Sequence, residues 1–208
     1  MVEENFGDWL APTEALPPLV YPPLPGQPGQ QRIPQATNQA IVIVGYPAPA
    51  IEHPAYAALK LASTYLGNGL SSRLFVELRE KRGLAYDVSA FYPTRLGMSQ
   101  FVSYMCTAPE NAAIALESLQ FETERLAAES LTAEELESSK NKLLGQYALG
   151  KQTNGQIAQL LGWYEVLGLG AGFDKDFQAA VAAVTQQEVQ AAAQAYFQQP
   201  HTVILGPM

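Results

Sequence analysis

Apolar and polar positions along this chain repeat in two different periods, and the changes between them mark out its elements. Residues 39–46, QAIVIVGY, are a continuous β-branched apolar run and predict a buried strand, with Pro47 and Pro49 placed to end it. Pro54 suits the first turn of a helix whose apolar positions Ala57, Leu61, Tyr65 and Leu66 face a core, and Gly67-Asn68-Gly69 breaks that helix. Residues 70–86, LSSRLFVELREKRGLAY, read as a short charged helix that stops at Gly83 and turns directly into a strand. Ser71 or Ser72 suits its cap, and Leu74, Phe75 and Leu78 form its apolar arc, with Arg79 at the border. Beyond Gly83, Leu84, Tyr86, Val88, Ala90 and Tyr92 alternate with Ala85, Asp87, Ser89 and Phe91, and a similar alternation runs over residues 98–106. A turn at residues 93–97 makes the two an antiparallel hairpin.

The helical period then takes over. Residues 110–129 form one helix, and Thr132 with Glu135 makes a capping box for the next, which carries Leu136, Leu143, Leu144 and Tyr147. A third covers residues 152–167 and ends near Gly168 and Gly170. A short helix at residues 174–184 and a last one opened by Thr185 with Glu188 follow, and TVIL at residues 202–205 closes the chain as a strand. Strands, hairpin, helices and a final strand describe an α+β two-layer sandwich, an antiparallel sheet with helices packed on one face.

The beginning of the chain has a different composition. Residues 1–10 look like the final turns of a helix closed at Gly7, which suggests a piece cut from a longer protein. Residues 11–34 hold eight of the 15 prolines and almost no charge, which favours a polyproline II strap unable to enter a sheet interior. The expected organisation is therefore a helix end and proline-rich strap over residues 1–36, and one α+β domain over residues 37–208.

Charge and chemistry narrow the function. With 12 Lys and Arg against 20 Asp and Glu, the net charge of −8 argues against nucleic acid or an anionic membrane surface as a partner. The lone Cys106, in an alternating apolar segment, is expected to be a buried, inert thiol. There is no apolar run of membrane-spanning length and no signal peptide in these residues, which points to a cytoplasmic location. The two histidines, His53 in a turn before Pro54 and His201 before a strand, have no carboxylate or second histidine at ligand spacing. HExxH, HxxEH, GxSxG, Walker and Rossmann patterns are all absent. The chain thus lacks a metal motif of its own.

Arg79 and Tyr86 are the candidates that remain. A guanidinium and a phenol are both protonated donors at neutral pH, and aimed together they can hold a peptide carbonyl oxygen as it becomes an oxyanion. The structural alternative has Arg79 on a solvated face with Arg73–Glu77 and Glu77–Lys81 pairs, and Tyr86 on the same face as Leu84 and Val88.

SSRLFVELREKRGLAYDVSAFY, residues 71–92, resembles the signature of the second, C-terminal domain in the M16 peptidase family, which includes mitochondrial processing peptidase, pitrilysin and insulin-degrading enzyme. The resemblance extends to the proline-rich strap, QAIVIVGYPAP, the glycine turn before SSRLF, TAEELESSKNKLLGQYAL, and VTQQEVQAAAQAYF before TVILGP. It implies a LuxS/MPP-like metallohydrolase fold, used repeatedly in two halves that close around a peptide. In that family one domain holds zinc through HxxEH, with a glutamate as base, and another supplies an Arg and a Tyr seven residues apart. Arg79 and Tyr86 match those positions, and Gly67 and Gly69 match a glycine-rich loop that helps to bind substrate in some members. The partners implied are an HxxEH-bearing domain or subunit and a peptide, with no cofactor in this chain and zinc in the partner. The family domain begins with a strand and a full helix before the strap; lacking these, the chain is expected to leave a sheet edge open to a second copy. The resemblance also leaves room for a non-catalytic, scaffold-type member acting through protein–protein contacts.

Overall fold

The apolar run predicted as a buried strand is β2 (Ala40–Ala48), and the sheet is built outward from it in this computed structural model, which describes residues 1–10, 13, 14, 17 and 28–207. Most of the expected proline-rich strap lies outside the described residues. On one side of β2 runs β4 (Ser99–Thr107), antiparallel, and beyond it β3 (Asp87–Phe91), so the predicted hairpin is present. On the other side β5 (His201–Gly206) pairs antiparallel with β2, and β1 (Gly29–Pro34) runs parallel along β5, giving the order β1-β5-β2-β4-β3. Side chains alternate across the pleat: Val42 opposite Met105 and Tyr46 opposite Phe101 are all buried at 0–1% exposure.

Two features differ from the sequence reading. The strand β2 continues through Pro47 to Ala48. Beyond Gly45, the last β2 residue paired to β5, that side of the strand has no neighbour, so a proline without an N–H is tolerated there. The second is β1 itself, in a stretch expected to be strap. All six of its residues are exposed, and they pair in step from Gly29 with His201 to Pro34 with Gly206. An edge strand needs bonds on one side only, and its partner lies at the opposite end of the chain, so nothing local announces it. One parallel pair thus joins an otherwise antiparallel sheet.

The helices cover a single face. α2 (Tyr56–Gly67), α3 (Ala112–Ala128) and α7 (Gln186–Tyr196) lie on the sheet, while α4 (Ala133–Leu149) and α6 (Phe173–Ala183) pack on α2 from outside. Leu59, Leu61 and Leu66 of α2 are wholly buried, each contributing about 2 kcal/mol of apolar burial. Thr132–Glu135 and Thr185–Glu188 form the capping boxes expected for α4 and α7, and a third, Thr153–Gln156, opens α5 (Asn154–Val166). α2 starts at Tyr56, later than Pro54, because His53 closes the preceding turn: its carbonyl accepts from Tyr56 N–H at 2.9 Å and its Nδ1 from Ala55 N–H at 3.1 Å. A short helix α1 (Val2–Phe6) ends at Gly7 in a right-handed conformation, so Gly7 is not a left-handed cap.

The opposite face of the sheet is covered by none of the described helices and carries Ile41, Ile43, Val203 and Cys106, all half-buried. Cys106 is therefore not a core residue, as Met105 takes the inward position. Partial burial, with the Asp87 carboxylate opposite, pushes its thiol above the usual range.

Candidate functional site

The segment after α2 is wound more loosely than the apolar spacing predicts. Phe75–Lys81 is a π-helix, entered through Arg73 and Leu74. Its arc is as expected, with Leu74 and Leu78 at 0% exposure and Phe75 packed against the core. Neither serine hydroxyl caps it: Ser71 Oγ accepts from Lys142 Nζ at 3.1 Å, and Ser72 Oγ is buried with no partner among the described residues. Instead the Ser72 carbonyl accepts from Val76 N–H at 3.0 Å.

The reason for the wide turns is a buried carboxylate. Glu122, on α3, is 0% exposed and receives Arg73 Nε at 3.2 Å, Arg82 Nη2 at 2.7 Å and Arg125 Nη1 at 3.6 Å. Arg73 and Arg82 would be separated by roughly two and a half α-helical turns and so would point to opposite sides; i→i+5 turns change that register and let both reach Glu122. The expected Arg73–Glu77 pair is consequently not formed, while Glu77–Lys81 is, at 2.7 Å. Glu122 sits in the Ala115, Leu119, Leu126 stripe of α3, and that carboxylate at an apolar-periodic position is the signal that sequence reading passed over.

At the far end, Gly83 adopts φ +63, which lets the chain reverse without a Cβ penalty, and Leu84 N–H donates to Leu78 O at 2.9 Å. Ala85 is buried and Tyr86 turns outward at 57% exposure, so Tyr86 does not share the face of Val88. Tyr86 N–H donates to Cys106 O at 2.8 Å, anchoring the corner to β4 one residue before the β3 pairing begins. Arg79 Nη1 donates to the Tyr86 carbonyl oxygen at 2.7 Å, and its guanidinium lies 5.0 Å above the Phe75 ring. The two candidates are therefore brought together. Both are exposed, the Tyr86 hydroxyl bonds no described residue, and Arg79 keeps most of its five donors free. The guanidinium is thus tied to the backbone of the residue that carries the phenol, with Arg79 on a helix whose flanking Arg73 and Arg82 both reach Glu122.

The glycine turn has structural work of its own. An added Cβ on Gly67 would overlap the Ala90 backbone nitrogen and lie 2.6 Å from Ala90 Cα, so only glycine lets α2 press on β3 there, where Ser89 Oγ donates to the Gly67 carbonyl at 2.8 Å. Gly69 has φ +77, and Asn68 exchanges amide hydrogen bonds with Gln146 of α4. Among the described residues no hydrogen bond joins this turn to the Arg79 or Tyr86 side chains. Gly67→Ala is expected to destabilise the chain by about 3 kcal/mol through overpacking, read as a lowered midpoint in urea unfolding; a midpoint unchanged from wild type would contradict the tight α2–β3 approach.

Among the described residues no three His, Cys, Asp or Glu side chains cluster to hold a metal ion, so the residues present do not fit zinc. His53 instead meets Tyr196 edge-on, with ring centroids 6.0 Å apart, and His201 opens β5. Nor is any described helix long and apolar enough to cross a membrane.

The fold and the corner define a class of domain: a single-faced α+β sandwich that carries an exposed Arg and Tyr at a helix-to-strand corner and, among its described residues, no metal-holding cluster. Residues 1–143 match the family described as the peptidase M16 inactive domain. An uncharacterised zinc protease of Streptomyces coelicolor is 32% identical over 178 residues, spanning 83% of this chain and 38% of the relative; one of Mycobacterium leprae is 28% identical across 100% of this chain and 47% of its own length. The M16 inactive domain solved from Pseudomonas fluorescens shares 25% identity and superposes with a TM-score of 0.79, covering 88% of this chain and 44% of that one. A protease from Helicobacter pylori shares the fold with a TM-score of 0.88, at 24% identity, over 99% of this chain and 50% of that one. The chain belongs to the M16 peptidase family and is an inactive C-terminal domain of that family. It spans less than half the length of the curated relatives cited here.

Proposed function

We propose that this chain is the zinc-free, substrate-holding domain of an M16-type zinc metallopeptidase, contributes Arg79 and Tyr86 to peptide binding and oxyanion stabilisation, and hydrolyses nothing by itself. The observation that carries this reading is the Arg79 Nη1 to Tyr86 carbonyl bond of 2.7 Å, which ties the guanidinium to the backbone of an exposed Tyr86 at one corner. Gly67 and Gly69 belong to the substrate side of the same assembly by the glycine-rich loop they match. Zinc and its ligands belong to an HxxEH-bearing domain or subunit, and this chain's part is to bind and orient the peptide carbonyl with preorganised donors.

A scaffold-type role is the second reading, and one observation favours it: part of the Arg79 fork is spent on the chain's own backbone. The two separate on reconstitution. The HxxEH-bearing half from the same or a neighbouring gene is mixed with this chain and assayed on a quenched fluorescent peptide. Hydrolysis that requires both is the expected result. A zinc half equally active without this chain overturns the proposal in favour of the scaffold.

A further inference from the structure

Away from the Arg79–Tyr86 corner, α2, α4, α5 and α6 surround a pocket of about 370 Å³ walled by Tyr56, Tyr147, Trp163, Tyr164 and Phe177, with Lys60 in its lining. A neighbouring cleft of about 410 Å³ shares Leu160 and Trp163, and Trp163 is 48% exposed, so the mouth is open and apolar. Most polar ends of the walls are already engaged. Tyr56 Oη is 2.6 Å from Thr94 Oγ1, and Tyr147 Oη is 2.8 Å from Tyr164 Oη and donates to Asp174 Oδ1 at 2.6 Å, with Lys151 paired to the same carboxylate at 2.9 Å.

Lys60 is different. Its Nζ donates to the Tyr92 carbonyl at 2.7 Å and lies 5.4 Å from the Tyr56 and Tyr92 ring centroids, but no carboxylate among the described residues pairs with it. An ammonium has three donors and only one is engaged here by a described residue, in the lining of a site whose walls favour a flat apolar body.

We propose that this pocket binds a compact aromatic carboxylate, its ring among Tyr147, Trp163 and Phe177 and its carboxylate on Lys60 Nζ. The site is independent of the peptidase reading. Burial pushes the Lys60 ammonium down to about 8, while around it Tyr56, Tyr92, Tyr147 and Tyr164 are all raised and the Asp174 carboxyl, paired with Lys151, is held below its usual range. An anion binds the protonated amine, so affinity is full below the value for the free site and falls as pH rises through it.

The test is a titration of the 208-residue chain, in a Trp9→Phe background that leaves Trp163 as the one tryptophan, with 3-phenylpropionate followed by tryptophan emission. Saturable binding at about pH 7, about tenfold weaker near pH 9, is expected, with no binding of 3-phenylpropanamide and at least about tenfold loss in Lys60→Met. A tetrapeptide ending in phenylalanine, against its C-terminal amide, distinguishes a chain terminus from a free acid as the source of the carboxylate. A flat pH profile, equal affinity for the amide, or absence of saturation overturns the proposal, and the first two need only folded chain with Lys60 intact.

Discussion

In the complete zinc-bearing enzyme, Arg79→Ala is expected to lower kcat/KM on a peptide substrate by about 10²- to 10³-fold, the loss typical of one preorganised oxyanion donor. The side chain is exposed and engages the Tyr86 carbonyl and the Phe75 ring, so unfolding of the isolated chain should change by about 1–2 kcal/mol. Tyr86→Phe is the sharper companion. It removes a hydroxyl that bonds nothing described and keeps the ring, so any kinetic loss cannot come from the fold. If the donors act mainly on the developing oxyanion, kcat falls and KM holds; if they mainly hold the ground-state peptide, KM rises alone. Wild-type values of both constants in both variants would remove Arg79 and Tyr86 from the site.

Glu122→Gln should show the largest effect on stability. Its carboxylate is 0% exposed and meets three guanidinium groups, and losing one partner of a buried charge network costs about 3–5 kcal/mol. Glutamine keeps the shape but removes the charge and one of the two acceptor oxygens, putting an NH2 donor against a guanidinium, so Arg73 and Arg82 can no longer both be satisfied at this side chain. For a chain of this size the melting temperature should fall by on the order of 10 °C. Because Arg73 and Arg82 flank the π-helix that carries Arg79, the same change should also loosen the corner, seen as faster amide exchange at residues 79–86 than in a Gly67→Ala control of similar stability. Melting equal to wild type would mean that the network is only a solvated cluster.

How much of this was legible beforehand differs by element. β2, the β3–β4 hairpin, α3 and the boxes Thr132–Glu135 and Thr185–Glu188 follow from rules that act over a few residues: alternation, helical period, and a hydroxyl three positions from a carboxylate. The signature at residues 71–92 pointed to the M16 family, and the family match agrees. Other features were invisible for a common reason. β1 exists because β5 offers its edge, the π turns exist because Arg73 and Arg82 share a carboxylate 49 and 40 residues away, and Lys60 meets no described carboxylate because it lies among aromatic rings from α2, α4, α5, α6 and the β3–β4 connection.

The sequence by itself determined the succession of elements from β2 to β5, the family, and an Arg and a Tyr seven residues apart, since each is encoded in neighbours along the chain. Only the tertiary structure decided how those donors stand. Whether Arg79 faces solvent beside Tyr86 depends on Glu122 gripping the helix from below and on Cys106 fixing the Tyr86 backbone from β4, and contacts between distant segments are chosen by packing that no local pattern records.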